Sequence, residues 1–335
     1  MRTTFSTLAL ATALTVATAT NTIEAQGAPV SNPTKSGRVQ ANGIDYYYEL
    51  HGSGEPLLLL HGGLGSMDMF RSSLLPALAK TRQVIAVDLQ GHGRTTLGDR
   101  PIDLVDIGND LAIVLDKLGF KQVDVAGYSF GGGAGLRLAI QHPALVRRLA
   151  VISAPFAQNG FFPEMLPQQA AVSSAIAEQM KETPMYKSYV AVAPNPKDFP
   201  RLLDRMGELM RRPVDWSEDV KKLSMPVMLV FGDADMIRPE HIVQFYQLLG
   251  GGLKDAGWQR EHMSRARLAI PAGRHALRHV PLASPRSNDP AVPRWEERIE
   301  DLGRAGEGVA GRALEREGSS RQTRADLRRK IDSLR

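Results

Sequence analysis

The chain has 335 residues, 43% of them hydrophobic and 23% charged, which fits one large domain or two small ones with their own core. It contains no cysteine, so disulfides, thiolate metal centres, iron–sulfur clusters and a cysteine nucleophile are excluded. The net charge of +5 is unevenly placed: residues 271–335 hold 14 basic and 10 acidic side chains, whereas residues 1–270 hold 27 and 26. The body is close to neutral. The basic tail has Trp295 as its only aromatic after residue 275 and carries many carboxylates, so no nucleic-acid partner is expected.

Residues 1–28 open with Arg2, run through an apolar Ala/Leu-rich stretch over 5–16 and reach small residues at Ala17 and Ala19. That is the layout of a secretory leader and predicts a secreted or periplasmic protein. The stretch is shorter than the roughly 20 apolar residues needed to span a bilayer, and no later segment qualifies, so no membrane partner is expected. Residues 29–43, rich in Ser, Asn, Pro and Gly, read as a linker.

The alternating, aromatic-rich segment 44–50 predicts an antiparallel strand. Continuous apolar runs over 56–60, 83–89, 122–126, 149–153, 226–231 and 266–270 predict buried strands. Helical periodicity occupies 102–119 and 133–141. Buried strands alternating with helices imply an α/β fold, a mainly parallel sheet with helices on both faces. Ligands on such sheets bind beyond the carboxyl ends of the strands, where the polar and glycine-rich motifs of this chain fall. Segment 155–222 interrupts the alternation. It is Met- and Pro-rich, partly helical, and predicted to form a small lid.

Gly127-x-Ser129-x-Gly131 follows one strand and precedes one helix. The flanking glycines permit a tight strand-to-helix turn that leaves the serine exposed, so Ser129 is the candidate nucleophile. Acyl transfer also needs N–H donors aimed at the developing oxyanion. Phe130, next after the nucleophile, supplies one. The loop His61-Gly62-Gly63-Leu64-Gly65 supplies the other, from Gly63 or alternatively Leu64, while His61 is read as a loop brace. A serine needs a base, and the base a carboxylate. Asp235 of Gly232-Asp233-Ala234-Asp235 is the candidate acid, with Asp233 a turn former.

From 44 to 270 the chain resembles the α/β-hydrolase superfamily. Four pieces carry the resemblance in order: His61-Gly62-Gly63, Asp88-x-x-Gly91-His92-Gly93, Gly127-Tyr128-Ser129-Phe130-Gly131-Gly132 and Gly232-Asp233-Ala234-Asp235. It implies a core built from 44–154 and 223–275 around the 155–222 lid, with the Asp88–Gly93 turn bracing the site. A serine at the elbow favours esterases, lactonases, perhydrolases and carbon–carbon bond hydrolases over the families that use an aspartate there. The implied reaction is hydrolysis of a small-molecule ester through a Ser-His-Asp triad and an acyl-enzyme, without cofactor or metal. A perhydrolase or lactonase with the same triad, or an impaired hydrolase-like binding protein, is the alternative. The superfamily places its histidine in a short loop after the last strand, which makes His275 the candidate base, with His262 and His279 as alternatives.

Residues 276–335 do not resemble the superfamily. An apolar helix is expected after the histidine, and Arg, Ala, Gly, Pro and Glu dominate instead. Read one base later, codons permitted for 271–280 encode Leu-Pro-Gly-Val-Thr-His-Tyr-Asp-Met-Phe, a histidine loop of the expected kind. A one-nucleotide shift near Ile270 is the expected origin of this tail, with a naturally divergent basic tail as the alternative; the tail is expected to lie outside the fold, and under the shift His275 is an accidental neighbour of the ancestral position. Sequencing the gene tests the idea. The codons for 271–280 should yield that shifted reading, and codons that cannot yield it remove the explanation.

Overall fold

A computed structural model describes residues 32–272. The leader, most of the tail, His275 and His279 lie outside the described residues.

The described chain runs β1(Lys35–Ala41), β2(Ile44–His51), β3(Glu55–Leu60), α1(Leu74–Ala79), β4(Arg82–Val87), α2(Leu104–Lys117), β5(Val123–Tyr128), α3(Phe130–Gln141) and β6(Val146–Ile152). There follow α4(Met165–Ala170), α5(Ala177–Met180), α6(Pro184–Val192), α7(Phe199–Arg211), α8(Ser217–Val220), β7(Val227–Val230), α9(Pro239–Leu248) and β8(Arg267–Ala269). The strands form one sheet in the order β1-β2-β4-β3-β5-β6-β7-β8. The β1–β2 and β2–β4 pairs are antiparallel, and every later pair is parallel. This is the α/β fold expected from the pattern of apolar runs.

The linker reading of 29–43 requires a correction, because residues 35–41 are β1. Val39 and Ala41 turn inward, and Val39 faces Tyr46 across the pair. Asn42 (φ 45°) and Gly43 (φ 82°) join the strands. Two central residues with positive φ make the hairpin turn that an Asn-Gly pair favours. That dipeptide was the signal for a hairpin, masked by the small and polar residues beside it.

Parallel strands buried on both faces need continuous apolar sequence. Leu57 to Leu60 and Val84 to Val87 supply it and are buried throughout. Helix α2 starts where the Asp103 side chain accepts the Val105 N–H, and it buries Ile107, Leu111, Val114 and Leu115. The parallel topology sends the turns after β3, β5, β6 and β7 to one edge of the sheet.

Between β6 and β7 the chain leaves the sheet for α4 to α8. Helix α7 is the element that reaches the strand ends. Phe199, Leu202, Leu203 and Met206 form its buried face, and Arg201, Asp204, Arg205 and Arg211 lie on the other. On that side Arg201 pairs with Asp99 (3.0 Å) and Arg205 donates to the Asp99 carbonyl (3.1 Å).

Helix α3 runs directly against the sheet. A Cβ on Gly131 would lie 2.5 Å from the carbonyl oxygens of Leu60 and His61, and one on Gly127 would lie 2.1 Å from the Gly131 oxygen. These are backbone atoms that have no room to yield. Gly131→Ala is therefore expected to destabilise the fold by about 1–3 kcal/mol or more. A fall in urea midpoint at unchanged slope would show it, and an unchanged midpoint would contradict it.

Candidate active site

Ser129 stands between the last residue of β5 and the first of α3, at φ 51° and ψ −115°. This is a left-handed conformation that non-glycine residues rarely adopt. Its N–H donates to the Ile152 carbonyl (2.8 Å), and its carbonyl accepts the Gly133 N–H (3.0 Å). The peptide is thus tied to β6 on one side and to α3 on the other, with the side chain partly exposed. Helix α3 begins three residues earlier than its periodicity suggested. Ser129 therefore sits at its N-terminus, where N–H groups and the helix dipole favour negative charge.

The early loop lies against this turn. A Cβ on Gly62 would be 3.7 Å from Ser129 Cβ, and one on Gly63 would be 3.6 Å from Phe130 Cβ and 3.2 Å from Met206 Cε. Leu64 is held at φ 55°, an uncommon conformation for a bulky residue, and the Gly65 N–H donates back to the Gly62 carbonyl (3.3 Å). Gly63, Phe130 and Ser129 are therefore brought together, beneath the Met206 methyl group of α7.

His61 braces this loop, as its sequence context suggested. It is fully buried, its Nδ1 bonds the Gly62 carbonyl (2.8 Å) and its Nε2 accepts the Leu89 N–H (2.9 Å). Burial lowers its pKa to about 4. His92 packs between the rings of His61 (5.5 Å) and Phe130 (5.2 Å), and burial lowers its pKa to about 3. Both rings are neutral near pH 7. Asp88 braces the loop from below: its carboxylate accepts the N–H groups of Met67 and Arg94, each at 2.8 Å.

Asp235 follows β7 and is buried. Its Oδ2 accepts the Ser153 hydroxyl (2.7 Å) and the Gly232 N–H (3.1 Å), and its Oδ1 accepts the Ile237 N–H (3.3 Å). It also lies near Tyr128. Burial raises the Tyr128 phenol above its ordinary range, and the charge of Asp235 adds to that shift. Asp233 is exposed and donates its N–H to the Pro271 carbonyl (3.3 Å). The structure thus separates the two aspartates, one bound inward and one at the surface.

His262 does not join this group. It is exposed, precedes β8, and lines a cavity with Tyr246, Gly250 and Arg267 at the edge of the sheet opposite to the strand ends that hold Ser129. The parallel direction of β8 excludes it as the base. Ser153, which the sequence reading did not single out, does join the group. Among the described residues no cluster of three His, Asp or Glu side chains is placed to hold a metal ion. No helix among them is long and apolar enough to cross a membrane.

A family model for the alpha/beta hydrolase fold matches residues 55–183. A 2-hydroxymuconate semialdehyde hydrolase of Pseudomonas sp. strain CF600 is 40% identical over 132 residues, covering 37% of this chain and 45% of that protein. The chain spans a little under half the length of the curated relatives it matches, 44% and 45% for two of them. Esterase RhEst1 from Rhodococcus sp. ECU1013 superimposes with a TM-score of 0.54 at 20% identity, covering 80% of this chain and 97% of its own. The enol-lactonase from Burkholderia xenovorans LB400 gives 0.53 at 18%, covering 70% and 90%. The described residues have the α/β-hydrolase fold, with Ser129 at its strand-end turn. The relatives named above are hydrolases.

The buried ionisable groups dictate a pH dependence. His61 and His92 titrate near 6.5 when unfolded but at about 4 and about 3 in the fold. Between those values the unfolded chain binds more protons, so stability falls as pH falls. Asp88 acts oppositely, because burial raises it from 3.8 to about 6 and stability is lost as pH rises through that window. Two histidines outweigh one carboxyl. The urea midpoint should drop from pH 6.5 towards 4, and a flat or rising profile would contradict this balance.

Proposed function

We propose that the chain is a secreted serine hydrolase that cleaves small carboxylic esters through Ser129, His275 and Asp235. The observation that carries the reading is the left-handed turn at Ser129, which presents the side chain at the N-terminus of α3 beside the Gly63 loop. The leader over 1–28 supports secretion.

In this reading Ser129 Oγ attacks the ester carbonyl carbon, and its proton passes to the His275 imidazole. The carbonyl oxygen becomes an oxyanion and accepts the N–H groups of Phe130 and Gly63. Asp235 orients the imidazole and stabilises the imidazolium. Collapse of the tetrahedral species breaks the bond to the alkoxy oxygen, which takes the proton from the imidazolium and leaves as the alcohol. Water then gives a proton to the histidine and attacks the acyl-enzyme. The second collapse returns the proton to Ser129 Oγ and frees the acid. No metal or cofactor enters. Met206 and Leu64 beside the proposed oxyanion donors support an apolar acyl or alcohol group.

A perhydrolase or lactonase uses the same intermediates with peroxide, or with the substrate's own tethered alcohol. Ester, lactone and peracid assays on one preparation separate the three. A reading frame shifted after Ile270 would instead leave an impaired protein.

Ser129→Ala is expected to abolish both ester turnover and labelling by a fluorophosphonate probe. Asp235→Asn should lower kcat by about 10⁴ while leaving binding intact. Labelling that survives in Ser129→Ala, or absence of both labelling and turnover in the unaltered chain, overturns the proposal.

A further inference from the structure

Three non-glycine residues with positive φ lie at the strand ends facing the site: Leu64, Ser129 and Ser153. The first two belong to the oxyanion loop and the nucleophile turn. Ser153 has no part in the proposed chemistry, yet it is 2% exposed and held at φ 51°. Glycine would take that conformation at no steric cost, whereas a serine there is strained. Glycine, however, has no hydroxyl. The Ser153 hydroxyl donates to Asp235 Oδ2 at 2.7 Å, within a buried setting.

The neighbouring bonds show what this contact organises. The Ile152 carbonyl accepts the Ser129 N–H (2.8 Å), and the Ser153 N–H donates to the Val230 carbonyl at the end of β7 (2.9 Å). Two consecutive residues at the tip of β6 therefore hold the nucleophile's backbone on one side and the acid's strand and carboxylate on the other. Among the described residues, Oδ2 accepts from Ser153 Oγ and from the Gly232 N–H. Oδ1 carries the longer Ile237 bond of 3.3 Å.

We infer that Ser153 is a positioning residue, whose hydroxyl fixes the Asp235 carboxylate so that Oδ1 faces the base and whose main chain sets the spacing between Asp235 and Ser129. The inference rests on the proposed serine-hydrolase reading. Ser153 touches neither substrate nor reacting atoms and acts only through Asp235.

Glycine and alanine at 153 separate the hydroxyl from the backbone. Ser153→Gly removes the hydroxyl and relieves the strain, two effects of opposite sign on stability, so its urea midpoint should stay close to that of the unaltered chain. Its kcat for a p-nitrophenyl ester should nevertheless fall roughly tenfold to a hundredfold, the effect of losing a hydrogen bond to a charged group. KM should stay within about twofold, and Ser153→Ala should match it in kcat. A kcat within twofold of the unaltered chain in both variants overturns the inference, as does a loss of kcat that follows loss of folding. A crystal structure of Ser153→Gly gives a reading independent of turnover. The carboxylate of Asp235 should be rotated away from the geometry described above, and a carboxylate left in place overturns the inference. Lack of turnover and of fluorophosphonate labelling in the unaltered chain defeats the serine-hydrolase reading alone, and the crystal structure then decides the case of Ser153.

Discussion

The approach of α3 to the sheet is the contact on which the rest of the site depends. At Gly127 and Gly131 backbone meets backbone with no space for a Cβ, and this allows the chain to reverse from β5 into α3 within one residue. Ser129 absorbs the reversal by taking a left-handed conformation. Sterics would make such a residue rare, and it persists because its N–H and carbonyl are both satisfied, by β6 and by α3. The local cost is met by the packing of a 12-residue helix whose first ten residues are buried. Exposure of the serine is thus a product of the fold, not of local chain preference.

A second layer of constraint lies under the early loop. Asp88, Arg94, Asp68, Arg71 and Glu49 form a chain of alternating charge running from the loop to β2, where Glu49 also bonds His51 Nε2 at 2.9 Å. Arg94 reaches Asp68 at 2.8 Å, and Arg71 reaches Glu49 at 2.7 Å. Buried ion pairs are weak as sources of stability, because desolvation offsets their attraction. What they provide is a definite geometry. Each carboxylate has its own donors, so a shift of the loop would strand a charge away from water. Neutral His61 and His92 complete this base, and their neutrality follows from burial, which disfavours the imidazolium.

How much of this is legible in the sequence follows from what each feature demands of the chain. Buried parallel strands demand uninterrupted apolar residues, so β3 to β7 are written plainly and the α/β architecture with them. The nucleophile turn demands glycine on both sides of Ser129, and the loop after β3 demands it at Gly62, where a Cβ would lie 2.9 Å from the Tyr128 ring, so both read as motifs. Strand β1 was missed because two inward residues, Val39 and Ala41, are too few to register as an alternation. Helix α9 was not anticipated either. It is named by no motif, although Pro239 sits at its first turn. Ser153 is legible only in three dimensions. Its conformation and its partner 82 residues away are set by the register of β6 against β7, and an isolated serine carries no mark of either. His262 was separated from the site by strand direction alone.

The insertion between β6 and β7 raises the question of what holds α7 over the strand ends. Two kinds of contact contribute. Arg201, Arg205 and Arg212 reach Asp99, the Asp99 carbonyl and Asp103, contacts at 3.0, 3.1 and 3.1 Å whose arginines are partly exposed to solvent. Exposed pairs of this kind contribute about 0.2–1 kcal/mol each and are screened by salt. The opposite face buries Phe199, Leu202, Leu203 and Met206, none more than 2% exposed. At about 1.5–3 kcal/mol for each such side chain, the apolar face contributes several times more. The arginines therefore set the register of the helix along the 98–103 loop, while the apolar face holds it down. Salt removes the smaller part of the attachment. What keeps Met206 against Gly63 is the same exclusion of water that encloses the early loop, so cover and site are stabilised by one continuous apolar contact.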